Sequence, residues 1–154
     1  MEERDLKIFV DGTRKYFDLT VEEPVEVGTP YLLDEESIIL DFIGVIGISG
    51  KHRGCVYYTC SVPMAQRLAQ EIGETEASEE ILGDLVGEIA NIIAGNSREF
   101  LGPDFMISVP AVIRGGESVQ FPRDLPRFVI PIVWSGFTAY LLLCLDLTEG
   151  SRAS

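Results

Sequence analysis

The chain has 154 residues, a length that suits one domain with a sizeable core. Hydrophobic residues make up 46% of it, which excludes a disordered chain. Its 25 acidic residues outnumber 12 lysines and arginines, and the net charge of −13 disfavours nucleic acid and anionic membranes as partners. We expect residues 1–148 to form the single domain and 149–154 to be a disordered tail.

The cysteines and the apolar runs bear on the compartment. The N-terminal sequence MEERDLKIF is charged and acidic, unlike a signal peptide, and no apolar run approaches the roughly 20 residues of a membrane span. Cys55, Cys60 and Cys144 are odd in number and form no CxxC motif. All three lie in apolar, strand-like runs, so we expect buried, reduced thiols and a cytoplasmic protein.

The first part of the chain predicts a helix followed by a hairpin. Residues 3–18 space their apolar side chains as an amphipathic helix does. Residues 37–49, rich in isoleucine and valine, predict a long strand, and 55–61 predict the returning strand. The turn over 49–54 carries the only histidine, His52, which we expect to be exposed.

The second part predicts two helices and then more strands. Ser61 is placed to cap a helix that ends at Gly73, and Ser78 begins a longer helix that stops before Gly102. The later strands are expected over 105–115 (interrupted by Pro110), 116–121, 127–134 and 137–147, with a tight turn at Ser135–Gly136. Hairpin connections favour an α/β fold of the α+β type with a largely antiparallel sheet.

The longer helix has two unlike faces. On a helical wheel its core face consists of Leu82, Leu85, Val86, Ile89 and Ile93. The opposite side consists of Asp84, Glu88, Asn91 and Gly95. Glu88 and Asn91 are three residues apart, so their side chains emerge side by side. The helix therefore presents an acid and an amide together, away from the core.

Both asparagines of the chain lie in this helix, in GEIANIIAGN. Asn96 falls toward the core, where an amide that bonds neighbouring backbone is the expected role. Asn91 points away from the core although asparagine is a poor helix former. Gly87 and Gly95 each cost a helix about 0.5–1 kcal/mol relative to alanine. They indicate close approach of another backbone, from within the fold or from a partner.

An acid beside an amide has a specific chemical use. A neutral amide both donates and accepts hydrogen bonds, so it can orient a water molecule, and phosphoryl transfer is accelerated chiefly by such positioning. The sequence has no P-loop, no histidine pair and no basic cluster. If Glu88 and Asn91 act on a phosphate, the substrate must bring its own metal ion. A solvated helix face is the alternative, because Glu-x-x-Asn alone is a weak motif.

The pattern D84-LVG-E88-IA-N91-IIAGN resembles the helix signature of the CheC/CheX/FliY family of bacterial chemotaxis phosphatases. The segment ISVPAVIRGGE (107–117) is similar to the strand that carries the family's proline, with Pro110 as the match. The spacing from Asn91 to Pro110 is shorter than in the family, and the order of elements fits CheX best. The resemblance implies a CheC/CheX-like fold with the long site-bearing helix packed on an antiparallel sheet.

The resemblance also implies an activity, hydrolysis of the aspartyl-phosphate of a CheY-like response regulator. Asn91 would orient the attacking water, and Glu88 would pair with the regulator's active-site lysine. The regulator would supply Mg²⁺, so the chain needs no metal or cofactor of its own. Among the supporting residues, Asp84 would shape local hydrogen bonding and Asn96 would be structural. Gly87 and Gly95 would let the partner's loops come close.

Partners and alternatives follow from the same resemblance. CheX-like proteins are dimers that join their sheets edge to edge, so we expect a homodimer that covers the long apolar strands. A non-catalytic module of chemotaxis or of the flagellar switch is the alternative function, with a CheD-like protein as one possible partner. On that reading the same helix face docks a partner and hydrolyses nothing. A purely structural helix is the third possibility.

Overall fold

The structure is a computed structural model that describes residues 1–33, 38–115, 119, 121–122 and 124–147. The elements in chain order are α1 (Glu3–Thr20), β1 (Glu26–Val27), β2 (Tyr31–Leu32), β3 (Phe42–Gly50), β4 (Arg53–Cys60), α2 (Val62–Glu71), α3 (Glu79–Leu101), β5 (Phe105–Ile107), β6 (Ala111–Arg114), β7 (Phe128–Trp134) and β8 (Phe137–Asp146).

All strand pairs in the described residues are antiparallel and belong to one sheet. The main path has the order β1-β7-β8-β4-β3-β5, with β2 also paired to β7 and β6 also paired to β3. The four long strands therefore occupy the middle of the sheet, and pairs of short strands form both edges. The predicted fold class, an α+β protein with a largely antiparallel sheet, is confirmed.

The sheet is buried on both faces, which explains the nearly continuous apolar runs of its long strands. Alternate residues of β3 face opposite ways: Phe42 and Ile46 belong to the large core with the helices, while Ile43 belongs to a second, smaller core. Loop side chains cover this second face. Phe121, for example, packs edge-on against Tyr57 with the ring centroids 5.0 Å apart.

Both predicted hairpins form. Strands β7 and β8 turn through Ser135 and Gly136, whose φ angles of +50° and +80° are the positive values of a two-residue hairpin turn. Strands β3 and β4 turn around His52, and here the prediction of an exposed histidine is wrong. His52 is only 1% exposed, and the start of β5 packs against it, with the Phe105 ring centroid 5.8 Å away.

Other details of the strands differ from expectation. The long strand begins at Phe42 rather than at residue 37. All three cysteines are free thiols, and Cys60 and Cys144 are buried as predicted. Cys55 is only partly buried, because it lies near the start of β4 on the face that no described helix covers. Most of the strand predicted over 116–121 lies outside the described residues, as do the predicted tail 149–154 and residue 148.

The ends of the helices confirm the predicted caps. The Ser61 hydroxyl accepts a hydrogen bond from the Met64 amide at the start of α2. The Ser78 hydroxyl accepts one from the Ile81 amide at the start of α3, and Gly102 ends α3 with a φ of +94°. Within the described residues, none of the helices has an apolar stretch long enough to cross a membrane.

Helix α3 lies directly against strand β3 at Gly44. An added Cβ on Gly44 would lie 2.8 Å from the Val86 carbonyl oxygen and 3.2 Å from the Gly87 Cα. Both atoms belong to the backbone of α3, which cannot move aside as a flexible side chain could. Glycine at this position therefore sets how closely α3 approaches the sheet.

We predict that Gly44→Ala destabilises the fold by about 1–3 kcal/mol, because the methyl group would overpack the contact between strand and helix. Gly95→Ala, on helix α3, is the control. Among the described residues, no atom outside the local backbone lies within 4 Å of the Cβ that this substitution would add. The control should stabilise the fold by about 0.5–1 kcal/mol through helix propensity. Urea unfolding of both variants measures the two changes. Equal effects of the two substitutions would contradict the tight contact at Gly44.

Candidate functional site

Four residues of α3, Asp84, Glu88, Asn91 and Gly95, form a line that we name the acid–amide ridge. The five predicted core residues of α3 are all buried, as the helical wheel requires. In the ridge, by contrast, Asp84 and Glu88 are exposed, and Asn91 and Gly95 are partly exposed. The two faces predicted for this helix are therefore present.

The side chains of Glu88 and Asn91 form no hydrogen bonds or ion pairs among the residues that the structure describes, and the same holds for Asp84. Asn96 differs, since its side-chain amide donates a hydrogen bond of 3.0 Å to the Gly12 carbonyl oxygen of α1. The two asparagines thus have separate roles. Asn96 joins two helices, and Asn91 is left available at the surface.

Gly87 serves the fold, which corrects the expectation that it leaves room for a partner. It is buried, and an added Cβ would lie 2.9 Å from Val112 Cγ2 and 3.6 Å from Pro110 Cβ. Pro110 and strand β6 therefore pack against α3 one residue before Glu88. This contact with Gly87 places Pro110 beside the ridge.

Gly95 is the glycine that remains open. Nothing lies within 4 Å of the position of a Cβ at Gly95, so packing within the fold does not require glycine there. It is partly exposed and lies one turn beyond Asn91. Gly95 has no side chain, and it forms the end of the ridge that lies farther from Glu88.

Tyr16 of α1 lies close enough to the ridge for the charge of Glu88 to affect its pKa. Burial of its ring, and after it the nearby Glu88 carboxylate, raise the pKa of Tyr16 to about 12. The phenol therefore stays protonated at neutral pH. This neighbour could not be predicted from the sequence, because it lies on a different helix more than 70 positions away.

Contacts at several points hold α3 in place. Helix α1 crosses it at Gly12, where an added Cβ would lie 2.9 Å from the Ser97 hydroxyl oxygen. Arg98 donates a hydrogen bond of 3.0 Å from Nε to the Phe105 carbonyl oxygen, which ties the end of α3 to β5. The ridge is thus carried on a packed element rather than on a loop.

A groove between α2 and α3 lies beside the ridge and was not predicted. It has a volume of about 190 Å³, and Asp84 and Glu88 are among its lining residues. Sequence periodicity assigns faces to single helices, so a groove between two helices leaves no signal in it. Among the described residues, no group of three or more His, Cys, Asp or Glu side chains is arranged to hold a metal ion.

We predict that the alanine variants of the two asparagines differ in stability. Both Asn91→Ala and Asn96→Ala gain helix propensity by the same small amount, but only the second loses a hydrogen bond. Asn96→Ala should therefore be less stable than Asn91→Ala by about 1 kcal/mol. Urea unfolding of both proteins measures this difference. Equal stability of the two variants would show that the Asn96 bond contributes nothing.

Several known proteins are similar to this chain in fold. The chain is similar to the crystal structure of a chemotaxis protein CheX from Desulfovibrio desulfuricans, with 24% identity and a TM-score of 0.83, over 93% of this chain and 99% of that chain. A putative chemotaxis protein from Desulfovibrio vulgaris Hildenborough gives 25% identity and a TM-score of 0.81, over 93% and 97%.

A third similar structure holds a partner. It is the CheX-CheY-BeF3-Mg+2 complex from Borrelia burgdorferi, with 21% identity and a TM-score of 0.77, over 92% of this chain and 97% of that chain. A comparison with curated proteins found no match. The structural similarities define the class, an α+β protein with the fold of the CheX-like chemotaxis proteins.

A family model narrows the class. The model described as "Chemotaxis phosphatase CheX" matches residues 42–133, which run from β3 into β7 and include the whole of α3. The chain belongs to this CheX family of chemotaxis phosphatases. The resemblance identified from the α3 motif is confirmed.

Proposed function

We propose that this protein hydrolyses the aspartyl-phosphate of a CheY-like response regulator, with Asn91 and Glu88 as its catalytic residues. The observation that carries the proposal is the pair itself. Both side chains lie side by side on an exposed face of a well-anchored helix, and neither is used in bonds within the described structure. The family assignment supports the reaction class, and the complex of a CheX from Borrelia burgdorferi with CheY supports the class of partner.

Asn91 would act through its side-chain amide. In the reaction a water oxygen attacks the phosphorus atom, and the bond between phosphorus and the aspartyl oxygen breaks. The products are inorganic phosphate and the free aspartate of the regulator. An amide can accept a hydrogen bond from the water and hold it in line without itself becoming charged. Asn91 suits this role because no hydrogen bond from a described residue competes for the amide.

Glu88 would hold the two proteins in register. Its carboxylate is exposed and forms no ion pair with the described residues, so it can pair with the regulator's active-site lysine. One helical turn separates the two contacts, and the backbone of α3 fixes that separation. The regulator would supply the phospho-aspartate and Mg²⁺, the ion that neutralises charge on the transferred group.

The rigid position of α3 supports catalysis by orientation. A displacement of about 1 Å can cost about 100-fold in rate when a reaction depends on positioning. Packing at Gly44, the bond from Asn96 to α1 and the bond from Arg98 to β5 all restrict such movement. In this proposal, Asn96, Gly87 and Pro110 act as supporting residues that keep the ridge in place. Asp84 extends the acidic part of the ridge.

We predict that the wild-type protein accelerates the decay of a phosphorylated CheY-like regulator from the same organism in the presence of Mg²⁺. Asn91→Ala should lower this acceleration by roughly 100-fold or more, because the water loses its orienting group. It should still bind the regulator, because the contact of Glu88 with the lysine remains. Decay of radiolabelled phosphate measures the first effect, and titration of the regulator measures the second.

Asp18→Asn is the matched control, an exposed carboxylate converted to an amide on α1, away from the ridge. It should leave the acceleration unchanged. If the wild type binds the phosphorylated regulator without changing its decay, the protein is a docking module of chemotaxis or the flagellar switch, and the phosphatase proposal fails. A CheD-like protein would then be the next partner to test.

We also propose that the protein forms a homodimer, as the family resemblance implies. The long apolar strands are already flanked by this chain's own short strands, so covering them is not by itself a reason to dimerise. The short edge strand β2 nevertheless exposes Tyr31 and Leu32, which gives an apolar edge for pairing. Sedimentation at micromolar concentration should give the mass of two chains, and a monomer there would refute the proposal.

A further inference from the structure

The groove between α2 and α3 combines an apolar floor with an acidic rim. Its apolar lining consists of Ala69, Ile72, Ile81 and Leu85. Ala69 and Leu85 are almost fully buried at 2% and 6% exposure, whereas Ile72 at the end of α2 is 46% exposed. A large, half-exposed isoleucine beside a concave surface is a feature that a partner could cover.

The size of the groove selects one kind of occupant. Its volume is about 190 Å³. Pockets for drug-sized molecules measure about 300–1,000 Å³ and enclose most of the ligand, so this groove is too small and too open for one. It suits a single long side chain lying along its floor.

The charge of the groove selects the chemistry of that side chain. Among the described residues, its ionisable lining consists of Glu74, Asp84 and Glu88, all exposed acids, with no lysine or arginine. None of the three forms an ion pair with the described residues. The groove therefore carries three carboxylates that no described residue pairs with, in a protein whose net charge is already −13. An occupant with positive charge would complement it.

Lysine and arginine satisfy both requirements. Their aliphatic stems lie along apolar surface while the charged group stays at the water boundary. In this groove the stem would cover Ile72 and Leu85, and the cation would meet Glu74 and Asp84. A neutral apolar side chain would leave those carboxylates uncompensated, and an acidic one would be repelled.

The groove lies close to the proposed catalytic pair on the same helix. Asp84 precedes Asn91 by seven residues, which is about 10 Å along a helix. Glu88 lies between them and lines the groove as well. A protein interface of standard size covers about 800 Å² on each partner, so a partner seated on Asn91 would also cover the groove.

We propose that the α2/α3 groove receives a second basic side chain, a lysine or arginine, from the surface of the phosphorylated response regulator. This side chain is distinct from the active-site lysine that would pair with Glu88. The inference rests on the proposed function for the identity of the partner. It adds that the regulator is selected by a basic residue about one and a half to two helical turns from the reaction centre.

The first test removes the charges of two acids that line the groove. Glu74→Gln combined with Asp84→Asn should raise the Kd for the phosphorylated CheY-like regulator by about 3- to 10-fold, and should reduce the weakening of binding by added salt. Asp18→Asn combined with Glu26→Gln is the control, because it removes two exposed acids from other elements. The control should leave the Kd within error of the wild type. Titration with Mg²⁺ present, at two salt concentrations, measures all three proteins.

The second test fills the groove from within the chain. Ile72→Arg places a guanidinium beside the three acids, so it should exclude the partner's basic side chain and raise the Kd by about 10-fold or more. Leu19→Arg is the control with the same change in charge, at a side chain of α1 that is 78% exposed. Both positions are exposed, so circular dichroism should report folded protein for each variant.

The outcomes separate the two proposals. Unchanged Kd values in both groove variants overturn the groove proposal, even if the wild type accelerates decay. Raised Kd values with a wild type that does not accelerate decay support the groove and refute the phosphatase proposal. A wild type that does not bind the regulator refutes both. If Ile72→Arg changes sedimentation instead of the Kd, a second copy of this chain covers the groove and the proposal fails.

Discussion

The close contact between helix α3 and strand β3 is the constraint on which the rest of the structure depends. Gly44 allows the backbone of α3 to lie against the strand, at a distance that leaves no room for a methyl group. Once the helix is seated there, five apolar side chains point into the core. The direction of the remaining side chains is then fixed by the helical repeat. Glu88 and Asn91 point outward because their neighbours in the helix point inward.

The rest of the fold holds this contact from its other sides. Helix α1 crosses α3 at Gly12, and Asn96 reaches across to its backbone. The chain around Pro110 closes against Gly87 from the opposite direction. Small residues thus occur where the backbone of α3 packs closely on its neighbours, and the polar groups that could bind a partner lie on its more exposed side. The division between structural and available groups follows from packing alone.

Local features of the fold could be predicted from the sequence because their causes are local. Ser61, Ser78 and Gly102 mark helix ends through their own side chains and backbone angles. The period of the apolar residues in α3 gives its two faces without reference to any other element. The pair of Glu88 and Asn91 was found for the same reason, since both residues belong to one helix.

Features that depend on two distant segments could not be predicted. His52 was expected to be exposed because it lies in a turn, but it is buried, with Phe105 of the distant strand β5 packed beside it. The sequence left open whether Gly87 meets the fold or a partner, and the resemblance implied a partner, because the chain that fills the space beside it comes more than 20 positions later. The proximity of Tyr16 to Glu88 and the groove between α2 and α3 have the same origin. Each requires knowledge of how helices are arranged in space.

The location of the acid and the amide on one helix bears on how such a protein can evolve. Sites built from distant segments lose their geometry when any of the connecting elements shifts. Here the spacing of the two groups is set by a single turn of backbone, which any sequence that keeps the turn helical reproduces. Substitutions elsewhere in the domain can accumulate while this spacing is retained. A compact, locally encoded motif of this kind can survive extensive divergence of the surrounding chain.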